Sequence, residues 1–244
     1  MQPPWHHLVP FLASVAASFI WFVPKPTPSI GSMVCKCLPV ILLVMYLFCL
    51  EGWSHTENQL VLVALILSAF GDAFLVFPKS LGLPGVVAFG LAQVAFTCAF
   101  GFRSVSWVIG IILYLTVFAV FFVIMILEAI PSHYRIAVPI FILYGILIAT
   151  MLWRALDRFR LQELLLERRL CTSAGAIIFV LSDLSIIFLQ GGGLIPQPYS
   201  KFVTIATYYA AQLLITLGAS EKFWLQDYPN KMDHEKTGNR GLCE

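Results

Sequence analysis

The stretch Gln59–Phe77, QLVLVALILSAFGDAFLVF, is nineteen residues long and carries one charge, Asp72. As a helix it spans a hydrocarbon core ~30 Å thick. Seven more blocks of this kind flank it, at residues 8–23, 34–50, 85–102, 105–127, 134–153, 170–189 and 202–220. Prolines and glycines punctuate the joins, as in Pro24 to Pro28, Pro78 to Pro84 and Gly191 to Pro196. Several blocks are rich in β-branched residues, which in water would suggest strands. In lipid every backbone polar group must find its partner inside the segment, and length then favours helices. The block at Leu8 lacks a basic leader and a small-residue cleavage motif, so it reads as a retained helix. The expectation is an all-α, polytopic membrane bundle of eight transmembrane helices over residues 1–223, followed by a disordered cytoplasmic tail over 224–244.

Composition agrees. Of 244 residues, 59% are hydrophobic and only 11% charged, against ~25% charged in a soluble domain. A net charge of +2 with scattered Lys and Arg excludes a nucleic-acid partner. Cys35, Cys37, Cys49, Cys98 and Cys171 lie in or beside apolar blocks, and Cys243 in the tail, in no zinc or secreted-disulfide spacing. They are expected to be buried, reduced thiols. All five histidines (His6, His7, His55, His133, His234) fall in termini or loops, which argues against an intramembrane metal hydrolase. No metal and no cofactor are called for, and no Ser-His-Asp set or nucleotide-binding glycine motif is present.

With eight spans both termini share one side. That side collects Arg103, Arg154, Arg158, Arg160, Arg168, Arg169, Lys222, Lys231, Lys236 and Arg240, against Lys25, Lys36, Lys79, Arg135 and Lys201 opposite. The positive-inside rule places both termini in the cytoplasm. Asp157 to Arg169 reads as an amphipathic or solvated connector. Ser68 to Asp72 in the third block echoes Val180 to Asp183 in the seventh, and Lys36 with Pro39 in the second echoes Arg135 with Pro139 in the sixth. The echo is short, and it suggests two parallel four-helix halves.

A carboxylate near the bilayer centre costs several kcal/mol unless paired, hydrated or protonated, so Asp72 and Asp183 stand out. Both lie late in helices running outward and should reach similar depth. Lys36 enters from the far side and can meet them. Gln93, Tyr208, Tyr209 and Gln212, two turns into helices running inward, complete a candidate polar cluster. The plain structural alternative is an ion-pair network that fixes packing. Two acids and a lysine at one depth favour a pocket instead, with Asp72 and Asp183 as catalytic candidates and the other five residues as substrate-binding candidates. Arg135 and Lys201 read as interfacial anchors, Glu128 and Glu221 as solvated helix ends.

Lys36 to Pro39, Ser68 to Leu75, Gly85 to Gly101, Leu181 to Asp183 and Thr207 to Leu217 together resemble the lysoplasmalogenase family, the YhhN-like transmembrane proteins. The resemblance runs from about Val9 to Glu221. It implies eight spans, residence in the endoplasmic reticulum, and hydrolysis of the vinyl ether bond of lysoplasmalogens to a fatty aldehyde and glycerophosphocholine or glycerophosphoethanolamine. One departure matters. Family members carry a His and a Tyr in the fourth-span motif where this chain has Gln93 and Phe96. Glutamine cannot titrate, which bears on activity rather than fold.

The chemistry suits the residues. A vinyl ether is cleaved by protonating the alkene carbon beta to the ether oxygen, and water then captures the oxocarbenium ion. The hemiacetal collapses to aldehyde and alcohol. One Asp kept protonated in a dry pocket supplies the acid, while a solvated, ionised one steadies the cation or activates water, the division of labour of glycosidases. The sequence does not say which Asp is which. Lys36 would orient a carboxylate or bind the headgroup phosphate, and Tyr208, Tyr209 and Gln212 would fix the glycerol. The expected partners are a lysophospholipid substrate and the bilayer, with room for a homo-oligomer. The alternative reading is a non-hydrolytic lipid-binding protein or a proton-coupled carrier.

Overall fold

The computed structural model of the chain describes residues 4–24, 28–53, 55–126, 138–191 and 196–225. Among these residues eight α-helices follow the apolar blocks: α1 (Val9–Trp21), α2 (Ile30–Glu51), α3 (Thr56–Leu75), α4 (Pro78–Phe100), α5 (Trp107–Ile126), α6 (Val138–Arg158), α7 (Leu166–Ser185) and α8 (Tyr199–Ala219). Six, α2, α3, α4, α6, α7 and α8, are long and apolar enough to cross a membrane; α1 and α5 belong to shorter apolar segments. The protein is a multi-pass, all-helical membrane protein. The tail beyond residue 225, Arg135 and Glu128 lie outside the described residues.

The six long helices contact one another in the order α2, α3, α4, α6, α7, α8 and back to α2, a closed ring. Helix α1 packs outside the ring on α2, and α5 packs outside it on α6. Lipid tails are as apolar as leucine, so helices in a bilayer associate through close packing and hydrogen bonds rather than hydrophobic transfer. Small residues show where this matters. A Cβ on Gly71 of α3 would meet the Phe89 ring of α4 at 2.6 Å, and one on Gly218 of α8 would lie 2.9 Å from the Thr172 backbone nitrogen of α7. These two hairpins are the tightest helix pairs in the fold.

Pro39 lies inside α2. It has no N–H to give the carbonyl of Cys35, one turn earlier. Ser18 of α1 donates its hydroxyl to that carbonyl, and Tyr209 of α8 donates to the neighbouring Lys36 carbonyl at 2.8 Å. The break in the α2 ladder is thus what ties α1 to it, and the next carbonyl along holds α8.

At the end of the bundle where α3, α7 and α1 begin, arginines do the binding. Arg154 pairs with Asp157 at 2.7 Å and donates to the Gly101 carbonyl at 2.9 Å, where α4 ends in a left-handed turn (φ 74°). Arg158 and Arg168 both engage Glu57, and Arg168 also reaches the Gly218 and Ala219 carbonyls that close α8. This corrects two expectations. Helix α6 runs on to Arg158, so Asp157 and Arg158 are buried rather than part of a solvated connector, and Arg168 is buried inside α7. Desolvated guanidiniums are tolerated there because helix C-terminal carbonyls and carboxylates accept from them. Glu221 is exposed as expected, beside Arg168 at 3.4 Å. All five described cysteines are free, but only Cys37 is buried; Cys49 and Cys98 face outward, where an apolar thiol costs nothing in lipid.

Candidate functional site

Lys36 early in α2, Asp72 late in α3, Tyr144 early in α6, Asp183 late in α7 and Tyr208 in α8 converge inside the ring, away from the arginine end. They line one cavity of about 260 Å³. Alternating helix direction explains the convergence: the even-numbered helices begin at this end and the odd-numbered ones finish there.

The two carboxyls sit in different company. Asp72, 1% exposed, pairs with Lys36 Nζ at 3.1 Å and accepts the Tyr208 hydroxyl at 2.7 Å. The Tyr208 ring is held edge-on by Phe89 and Phe179, with centroids 6.0 and 5.8 Å away. Asp183 accepts the Tyr144 hydroxyl at 2.5 Å, and no Lys, Arg or His among the described residues lies within ion-pair distance of it. Just beyond Asp183 the helix widens into a π turn, Ile186–Gly191, whose Ile186 and Ile187 line the cavity. Such turns recur at functional sites because they re-aim side chains. Ser182 and Ser185 fasten this part of α7 to Thr204 of α8 at 3.0 and 2.6 Å.

Of the seven residues singled out from sequence, Lys36, Asp72, Asp183 and Tyr208 line the cavity. The other three stand one layer back. Tyr209 gives its hydroxyl to the Lys36 carbonyl. Gln93, fully buried on α4, lies beside the Tyr144 hydroxyl without completing a hydrogen bond to it, and Gln212 lies in the same relation to Tyr208. Tyr144 was not among the sequence candidates. Its signal was a phenol alone in the apolar run PIFILYGILIA, where a hydroxyl must find a partner. Lys201, at the same end, lies 3.6 Å over the Phe22 ring and donates to the Phe22 carbonyl at 3.3 Å.

A ring of apolar helices enclosing a carboxyl pair, a lysine and two phenols defines a multi-pass membrane protein with an intramembrane polar site. Residues 31–219 match the model of the YhhN family, and the chain belongs to that family. Lysoplasmalogenase TMEM86B of Sus scrofa is 34% identical over 88% of this chain and 86% of its own length. The Homo sapiens lysoplasmalogenase TMEM86B is 32% identical over 87% and 85%, and the Bos taurus lysoplasmalogenase TMEM86A is 29% identical over 88% of each. No solved structure matches the chain.

Proposed function

We propose that this chain is a lysoplasmalogenase, hydrolysing the vinyl ether bond of lysoplasmalogen to a fatty aldehyde and a glycerophosphocholine or glycerophosphoethanolamine. One observation carries the reading: two carboxyls on one cavity wall, Asp72 buried and held by a lysine and a phenol, Asp183 half-buried and held by a phenol alone. A carboxyl that lines an apolar cavity with no cation beside it is the one that keeps its proton, so Asp183 is the acid. Asp72, paired with Lys36, is the anion. Asp183 delivers its proton to the alkene carbon beta to the ether oxygen, and the cation that forms is steadied by Asp72. Water adds to the oxocarbenium carbon and returns a proton to Asp183, and the hemiacetal opens to aldehyde and alcohol. Tyr144 orients the acid through its hydrogen bond, and Gln93 supports Tyr144. Lys36, Tyr208 and Gln212 hold the glycerol side, while Tyr209 fixes the backbone that carries Lys36. The headgroup phosphate would sit towards the end of the bundle shared by Lys36 and Lys201.

The same reading carries eight membrane spans, both termini in the cytoplasm, and residence in the endoplasmic reticulum. Two related halves are supported by the way α1 flanks α2 as α5 flanks α6, and by the two carboxyls standing late on the corresponding helices α3 and α7. A homo-oligomer remains compatible with this arrangement.

Gln93 favours a second reading, a lipid-binding relative or proton-coupled carrier without hydrolysis, because the family's histidine would stand beside the Tyr144–Asp183 pair. The experiment that decides is aldehyde release by the purified protein from lysoplasmalogen and from its saturated-ether analogue. Aldehyde from the vinyl ether only, lost in Asp183→Asn, is the expected result. A folded protein that binds the lipid but releases none would move the second reading ahead.

A further inference from the structure

A second cavity, of about 310 Å³, lies between α5, α6 and α7. Its wall is almost wholly apolar, lined by Leu113, Val117, Val120, Phe121, Ile148 and Ala149 among others. Thr116 spends its hydroxyl on its own helix, donating to the Ile112 carbonyl at 2.9 Å. This chamber and the carboxyl cavity share four residues: Phe141, Tyr144, Asp183 and Ile187. Asp183 therefore stands where a lysine-bearing cavity meets a hydrocarbon-lined one. Two other apolar grooves, one between α2 and α3 and one where His7 and Pro10 face α2, share no residue with the carboxyl cavity.

We infer that the α5–α6–α7 chamber takes the alkenyl chain of the lipid, and so sets which carbon meets Asp183. This rests on the lysoplasmalogenase reading. A vinyl ether is the join between the polar and apolar parts of its lipid: the ether oxygen belongs to the glycerol, and the carbon to be protonated is the second of the chain. With the glycerol facing Lys36 and Asp72 and the chain in the chamber, that carbon falls at the shared wall, against Asp183. The chamber gains little from hydrophobic transfer, since the chain leaves a bilayer that is already apolar. Its contribution is registration, holding the reacting carbon within reach of the acid. Gly145 helps set its width: a Cβ there would meet Phe121 Cε2 at 2.8 Å and Val117 Cγ1 at 3.2 Å, so a larger residue would displace the α5 side chains that line the chamber.

The test narrows the chamber without touching the carboxyls. Ala149→Phe fills it from α6, and Val120→Trp fills it from a half-exposed position on α5, which leaves the buried core intact should the first variant fold poorly. The substrates are 1-hexadecenyl and 1-butenyl lysophospholipids in mixed micelles. The expected result is a fall of about tenfold or more in kcat/KM for the hexadecenyl lipid with the butenyl lipid changed by less than about twofold. Equal losses for both lipids, or no loss for either in folded variants, would overturn it. A saturated hexadecyl-ether lysophospholipid with a terminal diazirine reads occupancy without turnover. Crosslinks on α5 and α6 support the chamber, and crosslinks on the α2–α3 groove overturn it. If the wild-type protein releases aldehyde from neither lipid, the lysoplasmalogenase reading fails and the crosslink alone decides where the chain lies.

Discussion

Lys36 separates the two carboxyls in role, and what orients the one left without a cation is the hydroxyl of Tyr144. Removing it in Tyr144→Phe leaves Asp183 without its donor, and kcat is expected to fall about tenfold, the rate equivalent of one hydrogen bond to a carboxyl. Asp183→Asn should cost at least ~100-fold, the usual size of a general-acid contribution. Position 93 tests the departure from the family pattern. Gln93→His places a titratable ring beside the Tyr144–Asp183 pair, and aldehyde release measured against the parent is expected to rise. No gain would mean that the family's histidine is not what the glutamine replaced functionally. The two acids and Lys36 were legible because a charge inside an apolar block has no cheap explanation. Tyr144 was not, because a tyrosine near a membrane interface is commonplace, and only the fold shows that its hydroxyl faces a carboxyl on another helix.

Helix α2 shows how a local defect becomes a tertiary link. Pro39 strips the Cys35 carbonyl of its usual donor, and Ser18 replaces it from α1. Ser18→Ala is therefore expected to destabilise by ~1–3 kcal/mol, the cost of an orphaned buried acceptor. In a Pro39→Ala background, where residue 39 regains an N–H, the same substitution should cost less. Thermal unfolding of the four proteins in one detergent measures the difference; equal costs in both backgrounds would contradict the account. The number and order of the apolar blocks were readable, but their ends were not: α4 begins at Pro78, seven residues before the block read at 85–102. The sixth block appeared to stop at residue 153, because Arg154, Asp157 and Arg158 look like loop residues until their partners on other segments are seen.

Across the whole molecule the two ends of the bundle divide the work. One end holds the carboxyl cavity; the other is clasped by Arg154, Arg158 and Arg168 on carboxylates and helix-end carbonyls. Arg154→Leu removes the cation from the fully buried Asp157, leaving it the Ser106 N–H, and should cost ~3–5 kcal/mol; adding Asp157→Leu should recover part of it, as unfolding midpoints would show. Neither variant is expected to alter which ether is cleaved. The ring of six helices flanked by α1 and α5 was not legible from the chain, since apolar length fixes that a helix crosses but not which helices it touches.

The central claim is that a carboxyl inside this ring protonates a carbon. Turnover of lysoplasmalogen in deuterium oxide, with the aldehyde trapped by immediate reduction, tests it most directly. The account predicts one deuterium at the second carbon of the fatty product, lost together with the product in Asp183→Asn. Product carrying no deuterium at that carbon would contradict it.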